Sequence, residues 1–405
     1  MNILVLSQTF WPDTVATAQA LTDLAIALSK RGHKVRVLTS RCNYENPEIK
    51  YPLNEIFEGI EIIRLRDINY GKRTISERLM VFFSFNLLVF FRLLFSANGN
   101  PDLIISLTSP PLLPVIGIVA SRLRNIRFVY WTMDLQPELS IANNFIRKGS
   151  PLAKILQKMG DFVFHKADKI ITLDDYMAKH IFVRTGRVKS LAVLPIWPMV
   201  KDHYYGTIAE NPFVQEHGLA GRCIVMYAGN HSLVHPVETL LDAATSMKDD
   251  QRFLFVHIGG GFRLKEVMDR KNNAGLGNMK ILPFQPREKI HFSLGAADLQ
   301  VVIMGNNCVG LTHPNKIYSA MYLGKPILYI GPQKSHITDI LNDCPGNIEV
   351  RHGESFQLVE KLVTFITLPE ETREHIGQQN RLYAQQKFDP ETLINRMVEE
   401  IESVL

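Results

Sequence analysis

The sequence has few of the features that would settle its chemistry at once. Its four cysteines, Cys42, Cys223, Cys308 and Cys344, lie far apart with neither a C-x-x-C pair nor a zinc-type spacing. That pattern predicts buried free thiols in a reducing compartment rather than a disulfide framework or a metal module. No low-complexity run interrupts a composition of 46% hydrophobic and 21% charged residues, which excludes a disordered chain. No G-x-G-x-x-G follows the first apolar run; Thr14-Val15-Ala16-Thr17-Ala18 stands there instead, which argues against a nicotinamide-binding dehydrogenase. The opening MNILVLSQTFWPD has no basic flank and no small-residue cleavage site, and is expected to be a first strand rather than a signal peptide. The longest apolar run, Leu79 to Phe95, is 17 residues interrupted by Ser84, Asn86 and Arg92. It is marginal for a bilayer span.

What is present is length, alternation and an uneven charge. At 405 residues the chain suits two domains rather than one core. The net charge of +5 conceals 25 Lys and Arg against 16 Asp and Glu up to Pro195, and 20 against 24 beyond it. A basic first half suggests an anionic partner such as a membrane surface or a phosphorylated lipid. Nucleic acid is not expected, because no recognition motif and no interleaving of aromatic with basic residues occurs. Arg64, Arg66, Lys72, Arg73 and Arg78 precede the Leu79–Phe95 run, whose phenylalanines surround nearly the whole helix. Two readings stand: a buried helix of a large domain, or a helix lying against anionic lipid beneath a basic collar.

Apolar runs separated by helical patterns give the fold class. Asn2 to Ser7, a helix from Ala18 to Arg31, Gly32, and a run from Lys34 to Thr39 form a β–α–β unit. Pro101 to Leu107, Arg127 to Thr132 and Lys169 to Leu173 continue it. Leu191 to Pro198, with two prolines and a polar stretch after it, is the natural boundary. The alternation restarts at Cys223 to Tyr227, Phe253 to Ile258, Lys280 to Leu282 and Leu299 to Met304, and the chain is helical from Pro369. The expectation is an α/β protein of two Rossmann-like doubly wound domains: residues 1–198, residues 199–375, and helices over 376–405.

Catalytic groups in open α/β sheets gather at the carboxyl ends of strands. Asp134 stands there in Met133-Asp134-Leu135-Gln136-Pro137-Glu138, with Glu138 second, and could orient or deprotonate a hydroxyl; equally, Asp134 could cap the next helix. In the second half, Gly229-Asn230-His231 and His235 form a strand-to-helix turn that suits close backbone approach to a phosphate; equally, the glycine could serve only a tight turn, with the histidines solvated. The strand ends Gly259-Gly260-Gly261 and Pro283-Phe284-Gln285-Pro286 add Gly260, Phe284 and Gln285 to the expected ligand-side residues. The most informative stretch is Ala296 to Gly331: a strand, an irregular turn through Gly310, then His313-Pro314-Asn315-Lys316 opening a helix. A proline at the first helical turn, Asn315 as a cap and a cation aimed at free N–H groups make a place for a pyrophosphate. The alternative is that His313 and Lys316 only cap a helix on a solvated face.

These segments together resemble glycosyltransferase family 4. The resemblance rests on the W-P-D-x-x-A-T-A start, the R-G-H-x-V-x-V-L-T turn, the A-G-N-H-S-x-x-H-P run and the stretch from Gly310 to Lys316 with Gly324-Lys325-Pro326 after it. It is nearest to the bacterial subset that builds O-antigen, colanic-acid and exopolysaccharide units. The resemblance implies a GT-B fold, two Rossmann-like domains facing a cleft, with the last helix returning to the first domain. It implies a diphosphate on the loop of Gly229 and the helix of Lys316, and Asp13, Thr14 and Thr17 on the acceptor side. It implies a metal-independent transfer with retention, consistent with the lack of a D-x-D pair, and no cofactor beyond a nucleotide-sugar co-substrate, UDP-linked by preference. The implied acceptor is a lipid-linked or nascent glycan at the cytoplasmic face of the membrane. One departure stands out: where the family usually carries two glutamates, this chain has Val309 and Ser319. A same-fold nucleotide-sugar 2-epimerase and a catalytically silent partner subunit are the alternative functions.

Overall fold

The computed structural model describes residues 1–44, 46–68, 75–95, 101–186, 190–200 and 206–404. Lys72 and Arg73 of the expected collar lie outside them. Contacts divide the chain into two compact units. One is Met1–Ile196 with Gly310–His313 and Pro390–Leu405; the other is Trp197–Val309 with Pro314–Asp389.

The first unit runs β1 (Asn2–Leu6), α1 (Ala16–Lys30), β2 (Lys34–Ser40), β3 (Asn54–Phe57), β4 (Ile60–Leu65), α2 (Ile75–Phe95), β5 (Leu103–Leu107), α3 (Leu113–Arg124), β6 (Arg127–Trp131), α4 (Glu138–Ala142), α5 (Pro151–Lys166), β7 (Lys169–Thr172), α6 (Asp175–Thr185) and β8 (Leu191–Val193). Its eight strands lie in the order β3-β4-β2-β1-β5-β6-β7-β8, parallel throughout except for the β3–β4 hairpin. Four of the five residues of β1 and all five of β5 are buried, as expected for parallel strands covered on both faces. The hairpin is not announced by the sequence, because β3 is only four residues long and neither it nor β4 is a continuous apolar run. Arg64, expected in the basic collar, is turned inward from β4. Its side chain is 1% exposed and its Nη1 lies 2.7 Å from Glu55, while Nη2 donates to the Trp11 carbonyl at 3.0 Å.

The second unit follows with α7 (Pro212–Glu216), β9 (Cys223–Ala228), α8 (Glu238–Ser246), β10 (Phe253–Ile258), α9 (Leu264–Ala274), β11 (Met279–Leu282), α10 (Ile290–Gly295), β12 (Leu299–Ile303), α11 (Lys316–Tyr322), β13 (Ile327–Ile330), α12 (His336–Asn342), β14 (Ile348–Val350), α13 (Ser355–Thr367) and α14 (Glu370–Lys387). Its sheet order, β11-β10-β9-β12-β13-β14, is the Rossmann order 3-2-1-4-5-6. Successive residues of a strand face opposite sides. Accordingly Val225, Tyr227, Phe253 and Phe255 join one buried cluster, while Ile224, Met226, Leu254 and Val256 join the other. The four cysteines are free and buried.

The last helix, α15 (Pro390–Glu402), belongs to the first unit. The units change at Pro390 rather than at 376, and α14 remains against α11. Pro390 cannot continue the hydrogen bonding of α14, so the chain turns there. α15 packs on α1. Glu402 reaches His33 Nε2 at 2.7 Å and Arg31 at 3.3 Å, and Glu400 pairs with Lys169.

α11 is held from behind by α14. Asn380 is fully buried and donates to the Lys325 carbonyl at 2.9 Å. Beside it, a Cβ on Gly377 would run into the backbone carbonyl of Gly324 and touch the Pro326 ring. Gly377→Ala therefore forces α14 away from the turn after α11, and a loss of about 1–3 kcal/mol is expected. Denaturant unfolding of the variant checks this; an unchanged midpoint would show that the turn gives way freely.

Candidate functional site

In the second unit, the sheet order reverses between β9 and β12, and the loops leaving these two strands diverge. Ligands of open α/β sheets bind at such a point. Two bonds join the loops: His235 Nδ1 donates to the Ile303 carbonyl at 2.7 Å, and Gly305 N donates to Val234 O at 3.0 Å.

Lys316 begins α11 and reaches back over this junction. Its Nζ lies 3.7 Å from the centre of the Tyr227 ring and is buried without a hydrogen-bond partner. The ring faces the cation with its π-electrons, yet burial still pulls the ammonium down to about 7, because nothing else repays the lost hydration. Gly229, at φ +125°, provides the space: a Cβ there would meet Lys316 Cε at 2.6 Å. Tyr227 Oη donates to the Asn230 carbonyl at 2.9 Å, which ties the loop to the strand that carries the ring.

Three histidines surround the junction. His231, fully buried, donates its N–H to Gly260 O at 2.7 Å, with ring Nδ1 3.3 Å from the same oxygen. Its Nε2 lies 3.2 Å from Nδ1 of buried His257. Burial, with Lys316 second, depresses His231 to about 4 and His235 to about 3; burial, with His231 second, takes His257 to about 3. All three are neutral at pH 7. In that state His257 Nδ1–H donates to His231 Nε2 and His231 Nδ1–H to the Gly260 carbonyl. The rim holds Phe284, 39% exposed, whose ring lies against Gly260, and Gln285, whose Nε2 donates to Pro283 O at 2.9 Å.

The helix start differs from expectation in detail. α11 begins at Lys316, so Pro314 precedes the N-cap rather than occupying the first turn, and Asn315 makes no side-chain cap. Ser319, at the second expected glutamate position, accepts from Met199 N at 3.1 Å.

In the first unit, the segment Gly310–His313 meets the carboxyl ends of β6 and β7. Leu135 N donates to Leu311 O at 2.8 Å. Thr312 Oγ1 donates to Asp134 Oδ1 at 2.5 Å. Burial raises the Asp134 carboxyl, while the Thr312 hydroxyl and then nearby His313 pull it back. His313, its side chain fully buried, lies with Nδ1 2.7 Å from Asp174 Oδ2. Asp174 also caps α6, accepting from Met177 N at 2.8 Å, and Gly310 packs on Tyr176 and His180. Asp174 was not among the expected site residues, and neither were Tyr227 and His257. Asp174 reads locally as an N-cap and the other two as strand core; only tertiary contact reveals their second role.

The other expected residues lie apart from this cluster. Glu138 Oε1 is 2.8 Å from Arg184, which also pairs with Asp161. Asp13 is buried and accepts from Asn43 Nδ2 at 2.9 Å and Tyr44 N at 3.1 Å, an internal tie for its loop. Thr14 is exposed and Thr17 half-buried, with the Thr14 carbonyl taken by Gln19.

Comparison with known proteins agrees with the resemblance read from the sequence. The model of the glycosyl transferase 4-like domain matches residues 16–197. The probable glycosyltransferase WbjE of Pseudomonas aeruginosa is 22% identical over 252 residues, which are 61% of this chain and 63% of that protein's length. Among solved structures, WaaG, a glycosyltransferase involved in lipopolysaccharide biosynthesis, superposes with a TM-score of 0.71 at 15% identity over 98% of this chain and 99% of its own. Anabaena Alr3699/HepE in complex with UDP and glucose gives 0.70 at 18% identity over the whole of both chains. Sucrose-phosphate synthase of Thermosynechococcus elongatus gives 0.74 at 14%, over 100% of this chain and 99% of its own. These likenesses bear out the expected fold. Residues 16–197 thus match a glycosyl transferase 4-like domain, and the two doubly wound sheets have the GT-B fold of these solved glycosyltransferase structures.

Proposed function

We propose that this protein transfers a sugar from a nucleotide diphosphate, a UDP-sugar by preference, to a lipid-linked or nascent glycan in cell-surface polysaccharide synthesis at the cytoplasmic face of the membrane. The observation that carries the reading is the Lys316 ammonium, buried and unpartnered over a glycine at a topological switch point. A group in that state gains most from a ligand that brings concentrated negative charge. That HepE has been solved with UDP and with UDP-glucose supports the choice of nucleotide.

In this mechanism the bond from the anomeric carbon to the diphosphate oxygen breaks, and the diphosphate departs with the electron pair. Lys316, the positive end of α11 and the backbone of the Gly229 loop stabilise that charge without a metal. The acceptor oxygen bonds to the anomeric carbon and its proton passes to Asp134. The raised carboxyl of Asp134 is the better base for it, and Thr312 fixes its Oδ1. Retention of configuration rests on kinship alone. Val309 and Ser319 at the usual glutamate positions favour one second reading, a subunit that binds nucleotide without turnover.

Titration with UDP, GDP, ADP, CMP and NAD tests the donor class, and product analysis with and without acceptor tests the reaction. Turnover of a nucleotide sugar without acceptor would mean an epimerase; binding without turnover on any acceptor would mean the silent subunit. Lys316→Ala should weaken UDP binding by about 1.5–3 kcal/mol, a rise of about 10- to 150-fold in Kd; an unchanged Kd would remove Lys316 from the cradle.

The pH dependence follows with a definite sign. Lys316 is half-ionised near pH 7 when the site is empty, and a bound diphosphate favours the charged form and lifts its pKa. Affinity should be flat below pH 7 and fall above it, by up to about tenfold per pH unit, with uptake of a proton visible by calorimetry in buffers of different ionisation enthalpy. Lys316→Met should abolish the uptake; uptake that persists would assign it elsewhere. Asp134→Asn should lower kcat by about 100-fold or more while UDP affinity stays the same, and activity within a few-fold of wild type would take Asp134 out of the chemistry.

A further inference from the structure

His257 is a costly residue for the place it occupies. β10 is buried along its whole length, and alternation sets His257 on the face of the sheet where Phe253 and Phe255 join the core. Its imidazole is fully buried and kept neutral at pH 7 by that burial. Nε2 meets no hydrogen-bond partner among the described residues. A buried nitrogen left unpaired costs the fold more than an aliphatic side chain of similar volume would. The polar contact that His257 does make is through Nδ1, 3.2 Å from His231 Nε2.

The direction of that bond is fixed from its far end. The Gly260 carbonyl can only accept, so His231 Nδ1 carries a proton towards it. In the neutral ring His231 Nε2 is then an acceptor, and His257 Nδ1–H is its donor. His231 also gives its backbone N–H to Gly260 O at 2.7 Å and takes Arg263 N on its carbonyl at 2.8 Å. Its ring and main chain together therefore hold the loop after β9 to the loop after β10. The same ring stands edge-on to Tyr227, with centroids 4.7 Å apart and planes at 62°. Tyr227 pairs with His257 across β9 and β10 and places its π face under the Lys316 ammonium. Through His231, His257 thus stands behind both the Gly229–Asn230 backbone and the aromatic ring beneath the cation.

We propose that His257 is a positioning residue of the nucleotide site: its Nδ1–H bond fixes the His231 ring, and with it the loop and the tyrosine on which the diphosphate cradle is built. The inference rests on the reading of Lys316 and Gly229 as that cradle. It adds a residue kept for binding at the expense of stability. Were the histidine pair only a staple of the core, removing it would lower stability instead.

The test titrates the full chain and two variants with UDP and follows their unfolding in denaturant. His257→Leu removes the bond at similar volume. It exchanges the unpaired nitrogen of His257 for one on His231 and gains a wholly apolar side chain in the core, so its midpoint should stay at or above that of wild type. With Nε2 unpaired, the His231 ring is free to turn, and the Kd for UDP should rise about five- to tenfold, the worth of one hydrogen bond. His257→Asn sets an amide N–H where Nδ1–H stood, and should restore the affinity without raising the midpoint. Wild-type protein that binds no UDP would overturn the cradle and this proposal together. Where wild type binds, an unchanged Kd in His257→Leu overturns the positioning role alone. So does a midpoint of His257→Leu well below wild type, which would make the pair a core staple, or an affinity in His257→Asn as low as in His257→Leu.

Discussion

The second unit is organised around a charge held where little solvates it. An ammonium removed from water without a hydrogen-bond partner is costly to keep ionised, and Lys316 meets that cost by approaching neutrality. The surrounding residues fit the same constraint. A glycine at 229 leaves the lysine stem room, a tyrosine ring rather than a carboxylate lies beneath it, and the nearby histidines are kept neutral by burial. An aspartate in place of Tyr227 would pair with Lys316 permanently and leave it nothing to offer an anion. Without a built-in counter-charge, the Lys316 ammonium is left open to an anion rather than tied into an ion pair of the core.

The first unit answers a different constraint. The short segment Gly310–His313 ends at strands far from it in sequence, and its two polar side chains and one of its carbonyls find partners there. Thr312 meets Asp134, His313 meets Asp174, and the Leu311 carbonyl meets Leu135 N. Two carboxylates at the ends of adjacent strands thereby do double duty. Asp174 satisfies both the first turn of α6 and an imidazole, so its two oxygens are fully committed to structure. Asp134 gives Oδ1 to a hydroxyl, and among the described residues its Oδ2 meets no further side-chain donor. That difference separates a positioning carboxylate from one that can take a proton, although both occupy the same kind of strand end.

Much of this was legible in the sequence, for a physical reason: parallel strands buried on both faces are continuous apolar runs. The runs at Asn2, Leu103, Cys223, Phe253 and Leu299 therefore announced themselves, and strand ends followed by Gly229 or by His313 to Lys316 located the loops. What escaped were residues whose local role is ordinary. Tyr227 alternates correctly as a core residue of β9, His257 sits in a fully buried strand, and Asp174 is a satisfactory helix cap. Their second contacts come from residues 26 to 139 positions away, which no local pattern carries. Arg64 misled for the converse reason, because a cation beside other cations reads as surface until a strand four residues long supplies Glu55 to pair with it.

α2 shows where such reading stops. Periodicity distinguishes a buried face from a solvated one only when the two faces differ in polarity, and α2 has apolar residues on both. The sequence therefore supports two outcomes, a core helix or a lipid-facing helix, and in the structure one face of the helix is buried while the other is exposed. Val81, Phe85, Val89 and Leu93 supply the packing that any helix of this layer needs. The phenylalanines opposite are only partly covered, and each leaves apolar area in water that burial would stabilise by about 25 cal/mol per Å². Serine or lysine at those positions would fold as well and dissolve better. Their apolar character is thus unexplained by the packing of the fold itself.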